Sequence, residues 1–235
     1  MIDDDVSLSS LVTLTCEIRR RMRVFKYPLS KYLLPGIAAD CYSRVRANGA
    51  SDNESVELND DEMVVVQSAC KDIVSIVPEW RLAFAIPLCW RRLTIDILSS
   101  SNPLIPQHIF LGKSALESPR LSEYIVHEIS HIWVGMFAEI TPLADPDEPI
   151  HVLPSGTSGK DTRQVMYALT FAVTAVRFYR ARVNREINNA DDDSRLQYLE
   201  RYALGCLDIA ESSGKLTPDG VAAVASCRRY LFSSG

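Results

Sequence analysis

The chain lacks the features that mark several common protein classes. Its six cysteines, Cys16, Cys41, Cys70, Cys89, Cys206 and Cys227, form no C-x-x-C pair. They therefore supply neither a thiolate metal site nor a disulfide framework, and read as reduced, mostly buried thiols. No apolar run reaches the roughly 18 residues that a membrane span requires. The first residues, Met1-Ile2-Asp3-Asp4-Asp5, are acidic and lack a signal-peptide pattern. A cytoplasmic location without a membrane partner is expected. There is no basic excess either: 25 Lys and Arg stand against 30 Asp and Glu, for a net charge of -5. That balance argues against a nucleic-acid partner held by charge. The basic runs Arg19-Arg20-Arg21-Met22-Arg23 and Arg180-Ala181-Arg182 fall within helical patterns and read as solvated faces. Internal repeats are absent. Histidine is scarce, with four residues in the whole chain.

Two of those four histidines sit together. His127-Glu128-Ile129-Ser130-His131 reads H-E-x-x-H inside the apolar stretch Leu121 to Phe137. On a helix, residues four apart lie one above the other, so both imidazoles can reach one metal ion. Glu128 follows the first ligand and can reach a water on that metal, which is the zinc-site pattern with glutamate as general base. The flanks Tyr124-Ile125-Val126 and Ile132-Trp133-Val134 are those of a buried helix, where two unliganded histidines and a carboxylate would be costly.

The rest of the chain reads as one domain over 1–235, mainly α with a small β-sheet. It divides into a helical N-terminal part over 1–92, a metal-site core over 93–187 and C-terminal helices over 188–235. The periodicity predicts helices over Val6–Lys26, before Pro35 or from Ile37 to Ala47, and over Glu62–Val77 capped by Asp60 or Asp61. Asn48 to Asp61 is polar and reads as a surface loop. Leu93 to Leu98 alternates like a strand, Ser99 to Gln107 is a connection, and His108 to Leu111 is a second strand. The motif helix should pack beside this sheet in a zincin-like core with helical additions. A proline-containing loop follows from Thr141 to Lys160. Helices are then expected over Arg163–Ile187, Arg195–Ser212 and Pro218–Phe232.

Two histidines do not complete a metal site, because catalytic zinc takes three protein ligands and non-haem iron a facial triad. His151, in the loop, is the first candidate for the third ligand on ligand chemistry. The loop carboxylates Asp145, Asp147 and Glu148 compete with it, and so does Tyr167 on the following helix. Glu139 lies two turns down the motif helix and should point away from the metal.

The region from about Thr94 to Arg182 resembles the HExxH-motif proteins found beside ribosomal peptide natural-product clusters. The likeness rests on Leu98-Ser99-Ser100-Ser101 and a short strand, on Tyr124 to His131, on the loop that follows, and on a helix carrying Met166-Tyr167-Ala168-Leu169-Thr170-Phe171 and Phe178-Tyr179. Members of that group are understood as iron- and 2-oxoglutarate-dependent peptide β-hydroxylases. The resemblance implies Fe(II) on His127, His131 and a third ligand. It also implies a cation, Lys160 or Arg163, for the 2-oxoglutarate carboxylate. The substrate would be peptidyl or amino-acyl, free or presented on a carrier. The family brings a histidine about 36 residues after the motif, where this chain has Tyr167.

Three functions follow. One is the hydroxylase. The second is a zinc hydrolase or metallopeptidase in which Glu128 is the base and Tyr167, Tyr179 or His151 stabilises the oxyanion. The third is a non-catalytic helical protein. The third ligand gives the first test: His151→Ala should weaken metal affinity more than Tyr167→Phe, since a neutral imidazole is a far better ligand than a phenol with a pKa near ~10. Isothermal titration with the metal alone measures both, and the reverse order would move the ligand to the helix.

Overall fold

The computed structural model describes residues 5–23, 26–43, 54–185, 187 and 191–233. The chain gathers into two compact units, residues 2–140 and residues 141–235. Among the described residues, helices predominate and a single four-stranded sheet accompanies them. No described helix is long and apolar enough to cross a membrane.

The first unit opens with helix α1 (Asp5–Met22). A short 3-10 turn (Leu29–Leu33) leads into α2 (Pro35–Cys41), where Pro35 sits in the first turn and costs no hydrogen bond. The polar stretch expected over 48–61 and the end of the 37–47 helix lie partly outside the described residues. Helix α3 (Asp60–Ile76) is capped by Asn59, not by Asp60 or Asp61 as expected. The Asn59 side chain accepts from the Glu62 N–H and Glu62 accepts from the Asn59 N–H, both at 2.9 Å. This reciprocal pair satisfies two otherwise orphaned donors, and the two aspartates then fill the favourable first turn.

The sheet contains β1 (Ser55–Glu57), β2 (Cys89–Leu93), β3 (Ser99–Ser100) and β4 (His108–Leu111), in the order β1-β2-β4-β3. Strand β2 runs parallel to β4, with Cys89 opposite His108, while β1 and β3 are antiparallel edges. Two expectations are corrected here. The strand expected over Leu93–Leu98 ends at Leu93. Beyond it Ile95, Ile97 and Leu98 lie exposed, so their alternation serves no buried face. The expected connection from Ser99 begins instead with a strand, because Ser99 pairs with Leu111 and the Gly112 N–H donates to Leu98 O at 2.8 Å. Gly112 is required there: a Cβ at this position would stand 2.0 Å from the Ile97 carbonyl oxygen.

A one-turn helix, α4 (Lys113–Leu116), precedes the motif helix α5 (Leu121–Ile140). Helix α5 buries Ile125, Val126, Ile129, Ile132, Trp133, Val134 and Met136. Near its end, Glu139 takes a bidentate ion pair from Arg19 at 2.8 and 2.7 Å. Arg19 is fully buried, which corrects the reading of its basic run as a solvated face at this residue, while Arg21 is exposed.

The second unit starts with an irregular segment and continues with α6 (Thr162–Asn184), α7 (Asp192–Ser212) and α8 (Pro218–Phe232). Asp161 caps α6 in a second capping box, with Gln164. The second basic run is also paired. Arg180 donates to Glu200 and to the carbonyls of Tyr230 and Leu231 at the end of α8, and Arg182 donates to Asp192 at 2.8 Å.

Removing one partner of a buried ion pair leaves the other charge uncompensated, at a cost of about 3–5 kcal/mol. Glu139→Leu is therefore expected to lower the unfolding free energy by about 3 kcal/mol or more in urea titrations. Arg19→Met combined with Glu139→Leu should recover much of that loss. Additive losses in the double variant would show that the pair is not what matters.

Candidate metal centre

Helix α5 places the motif in one continuous piece. Between Glu123 and Met136, Tyr124, His127, His131 and Gly135 are the partly exposed positions among buried neighbours. Their spacing of three and four residues traces a single stripe along the helix. His127 and His131 lie on that stripe with ring centroids 4.4 Å apart and planes at 88°. Two imidazoles so placed can share one cation.

Glu128 is almost fully buried, with 1% of its surface exposed. Its two carboxylate oxygens have different surroundings. Oε1 accepts a 2.6 Å hydrogen bond from the Ser99 hydroxyl on edge strand β3. Oε2 is buried without a hydrogen-bond partner and lies 3.8 Å from His131 Nδ1. The Ser101 hydroxyl stands 3.5 Å from the same ring nitrogen. Burial, reinforced by the neighbouring His127, holds the His131 imidazole well below its ordinary pKa. His131 is thus neutral near pH 7, the form that ligates metal.

The residues present fit a divalent cation in two respects. They offer two imidazole donors on an open stripe, and beside them a buried carboxylate oxygen that no protein donor satisfies. Among the described residues, no three His, Cys, Asp or Glu side chains gather closely enough to hold a metal ion.

The other expected site residues belong to the second unit. His151 and Lys160 exchange backbone hydrogen bonds at 2.9 and 3.2 Å, which closes a small loop. His151 Nε2 lies 3.2 Å from Thr162 Oγ1 and 3.5 Å from Asp147 Oδ2. Asp147 also accepts from the Thr162 hydroxyl at 2.6 Å and from its backbone N–H. Arg163 pairs with Asp161 at 2.9 Å and is largely exposed. Tyr167 is half-buried on α6. In the first unit, His108 Nδ1 lies 2.9 Å from the Pro106 carbonyl, the local backbone contact of an ordinary strand histidine. Ser99 and Ser101 were not expected at the site. Their signal was present in the serine run, which starts on edge strand β3 and continues past it.

No protein-family model matches the sequence, and no curated protein aligns with it significantly.

Two outcomes follow. His127→Ala and His131→Ala should each abolish stoichiometric metal binding while the helical circular dichroism persists. One metal per chain in both variants would remove the assignment. In the second unit, burial alone would raise the Asp147 pKa, but the Thr162 hydroxyl and N–H, with His151, bring it below the ordinary carboxylate value. A depressed folded-state pKa stabilises above the unfolded value of about 3.9, and that contribution is lost as pH falls through the folded value. Asp147→Asn should therefore flatten the acid limb of the stability curve at the low-pH end and leave its shape near neutrality unchanged.

Proposed function

We propose that this chain is an HExxH metalloenzyme acting on a peptidyl or amino-acyl substrate, and that its chemistry is Fe(II)- and 2-oxoglutarate-dependent hydroxylation. The observation that carries the metal centre is the Glu128 carboxylate, buried beside the two imidazoles with one oxygen lacking a donor. Such a group is costly to bury unless a cation or an ordered water answers it. The mixed sheet, with edge strand β3 laid against the motif helix through Ser99, supports a zincin-like core.

His127 and His131 would hold the metal; the sequence offers His151, Tyr167 or a loop carboxylate as candidates for a third ligand. Ferrous iron with 2-oxoglutarate supplies the oxidising power for C–H hydroxylation. Arg163 or Lys160 would bind the cosubstrate carboxylate through charge-assisted hydrogen bonds. Glu128 then orients a polar group near the metal. The likeness to the peptide β-hydroxylases, which extends past the motif into the next loop and helix, favours this chemistry over hydrolysis. The absence of nucleic-acid and membrane partners and a cytoplasmic location are part of the same proposal.

One specific observation favours a second reading, zinc-dependent amide hydrolysis. A carboxylate oxygen with no donor is a ready proton acceptor, and in that reading Glu128 is the general base. Zinc would supply an acidified water. A non-catalytic helical protein is what remains if neither chemistry is found.

The experiment is succinate release from 2-oxoglutarate by anaerobically prepared, Fe(II)-loaded protein exposed to oxygen, alongside amide cleavage by the Zn(II)-loaded protein. Succinate production that requires oxygen is the expected result. Amide cleavage without succinate would assign the chain to the hydrolases. In that case Glu128→Gln should keep the metal yet lower turnover by several orders of magnitude, because base and metal act as a unit. Zinc in ordinarily purified protein decides nothing, since nitrogen sites bind zinc more tightly than ferrous iron.

A further inference from the structure

We propose that Ser99, on the edge strand β3, and Ser101, just past its end, are positioning residues of the metal site: Ser99 restrains Glu128 from the metal, and Ser101 supports the His131 tautomer that ligates through Nε2. This deepens the preceding reading and rests on His127 and His131 as metal ligands.

Three observations carry it. The first is distance. The Ser99 Oγ–Glu128 Oε1 contact of 2.6 Å is in the range of charge-assisted hydrogen bonds, about twice as strong as neutral ones. The second is asymmetry: the same carboxylate has one oxygen tied to the strand and the other bare. A carboxylate beside a dication would otherwise be free to turn both oxygens toward it. Holding Oε1 on β3 keeps Glu128 as a group next to the metal instead of a ligand to it. The third is register. Ser101 follows Ser99 by two residues, and its hydroxyl, able to donate or accept, lies 3.5 Å from His131 Nδ1; the acceptor-only Glu128 Oε2, 3.8 Å from the same nitrogen, favours the Nδ1–H form in which Ser101 accepts. Metal-ligating histidines commonly donate their other ring N–H to an outer partner, which fixes tautomer and ring orientation. The segment is itself fixed, because Gly112 admits the 97–98 backbone at a distance no side chain would tolerate.

The two serines have opposite effects on metal affinity, which a merely structural role would not produce. Co(II) is the probe, measured by chelator competition. Ser101→Ala should weaken Co(II) binding by about tenfold, the scale of lost outer partners of ligating histidines. Ser99→Ala should strengthen it severalfold, because the released carboxylate can turn to the cation. That gain should vanish in Ser99→Ala/Glu128→Gln. Ser99→Thr and Ser101→Thr, which keep the hydroxyl, should resemble the wild type.

Nitrogen-15 chemical shifts of the metal-free protein provide a readout independent of loading. The wild type should hold His131 as the Nδ1–H tautomer, and Ser101→Ala should mix the two tautomers. Weaker binding in both alanine variants, or a Ser99→Ala gain that survives Glu128→Gln, would overturn the Ser99 role. An unchanged tautomer in Ser101→Ala would overturn the Ser101 role. If the wild type fails to bind Co(II) stoichiometrically, the metal-centre reading fails and the Ser99 role with it. The tautomer result then still decides Ser101 by itself.

Discussion

The buried Arg19 guanidinium is the constraint on which the first unit depends. It uses its fork of donors on three partners at once. Two bonds go to Glu139 near the end of the motif helix, one at 3.0 Å goes to the Tyr32 carbonyl, and one at 2.6 Å goes to the Gln107 side chain. Gln107 in turn donates to the carbonyls of Leu33 and Pro87 at 2.6 and 2.7 Å. Helix α1, the 3-10 turn, the lead into β2 and the lead into β4 are thereby tied to α5. Gln107 has a left-handed φ of 62°, which costs energy for a residue with a Cβ. The six side-chain hydrogen bonds made by Arg19 and Gln107 offset it. A buried network of this kind favours one arrangement, because any half-made version leaves a charge or an amide unpaired.

That network also accounts for what the sequence conceals. The motif helix, the helices of the second unit and strand β4 were legible because their signals are local. A 3.6-residue apolar period, a proline in the first turn and an isolated apolar run each act within a few residues. Arg19 was misread because it stands in a basic run, and a run of like charges ordinarily faces solvent. Its partner is 120 positions away at Glu139, a separation no local pattern reports. Strand β2 was displaced for a similar reason. Leu93 to Leu98 alternates well, but pairing partners decide a strand, and β4 and β1 meet Cys89 to Leu93 instead. Strand β3 was hidden by composition, since serines carry little strand preference and gain order here from the close approach at Gly112.

The candidate site divides along the same line. His127, Glu128 and His131 are adjacent in sequence, and one helix suffices to assemble them. The serines that contact Glu128 and His131 come from edge strand β3 and the residue just past its end, some thirty residues earlier, and only the folded sheet brings them there. His151 and Asp147 illustrate the opposite case. Both were singled out as donors, and each has a structural occupation within its own unit. Asp147 caps the first turn of α6 through Thr162, and His151 joins that group. A ligand role for His151 would require the imidazole to leave partners it already has.

Charge balance at Glu128 gives the metal reading its physical logic. The His131 ring lies 3.8 Å from its bare oxygen, and an imidazolium there would answer the buried carboxylate. Burial and the adjacent His127 work against that form and keep the ring neutral. The protein thus sets a carboxylate next to two imidazoles while disfavouring the proton that would pair them. Under the proposed function, a divalent cation would answer both: the neutral nitrogens would serve as donors and the cation would supply positive charge beside the carboxylate. A proton on His131 could satisfy the carboxylate alone and would close the ring as a ligand. The burial of α5 thus contributes to the proposed metal site as much as the motif it carries.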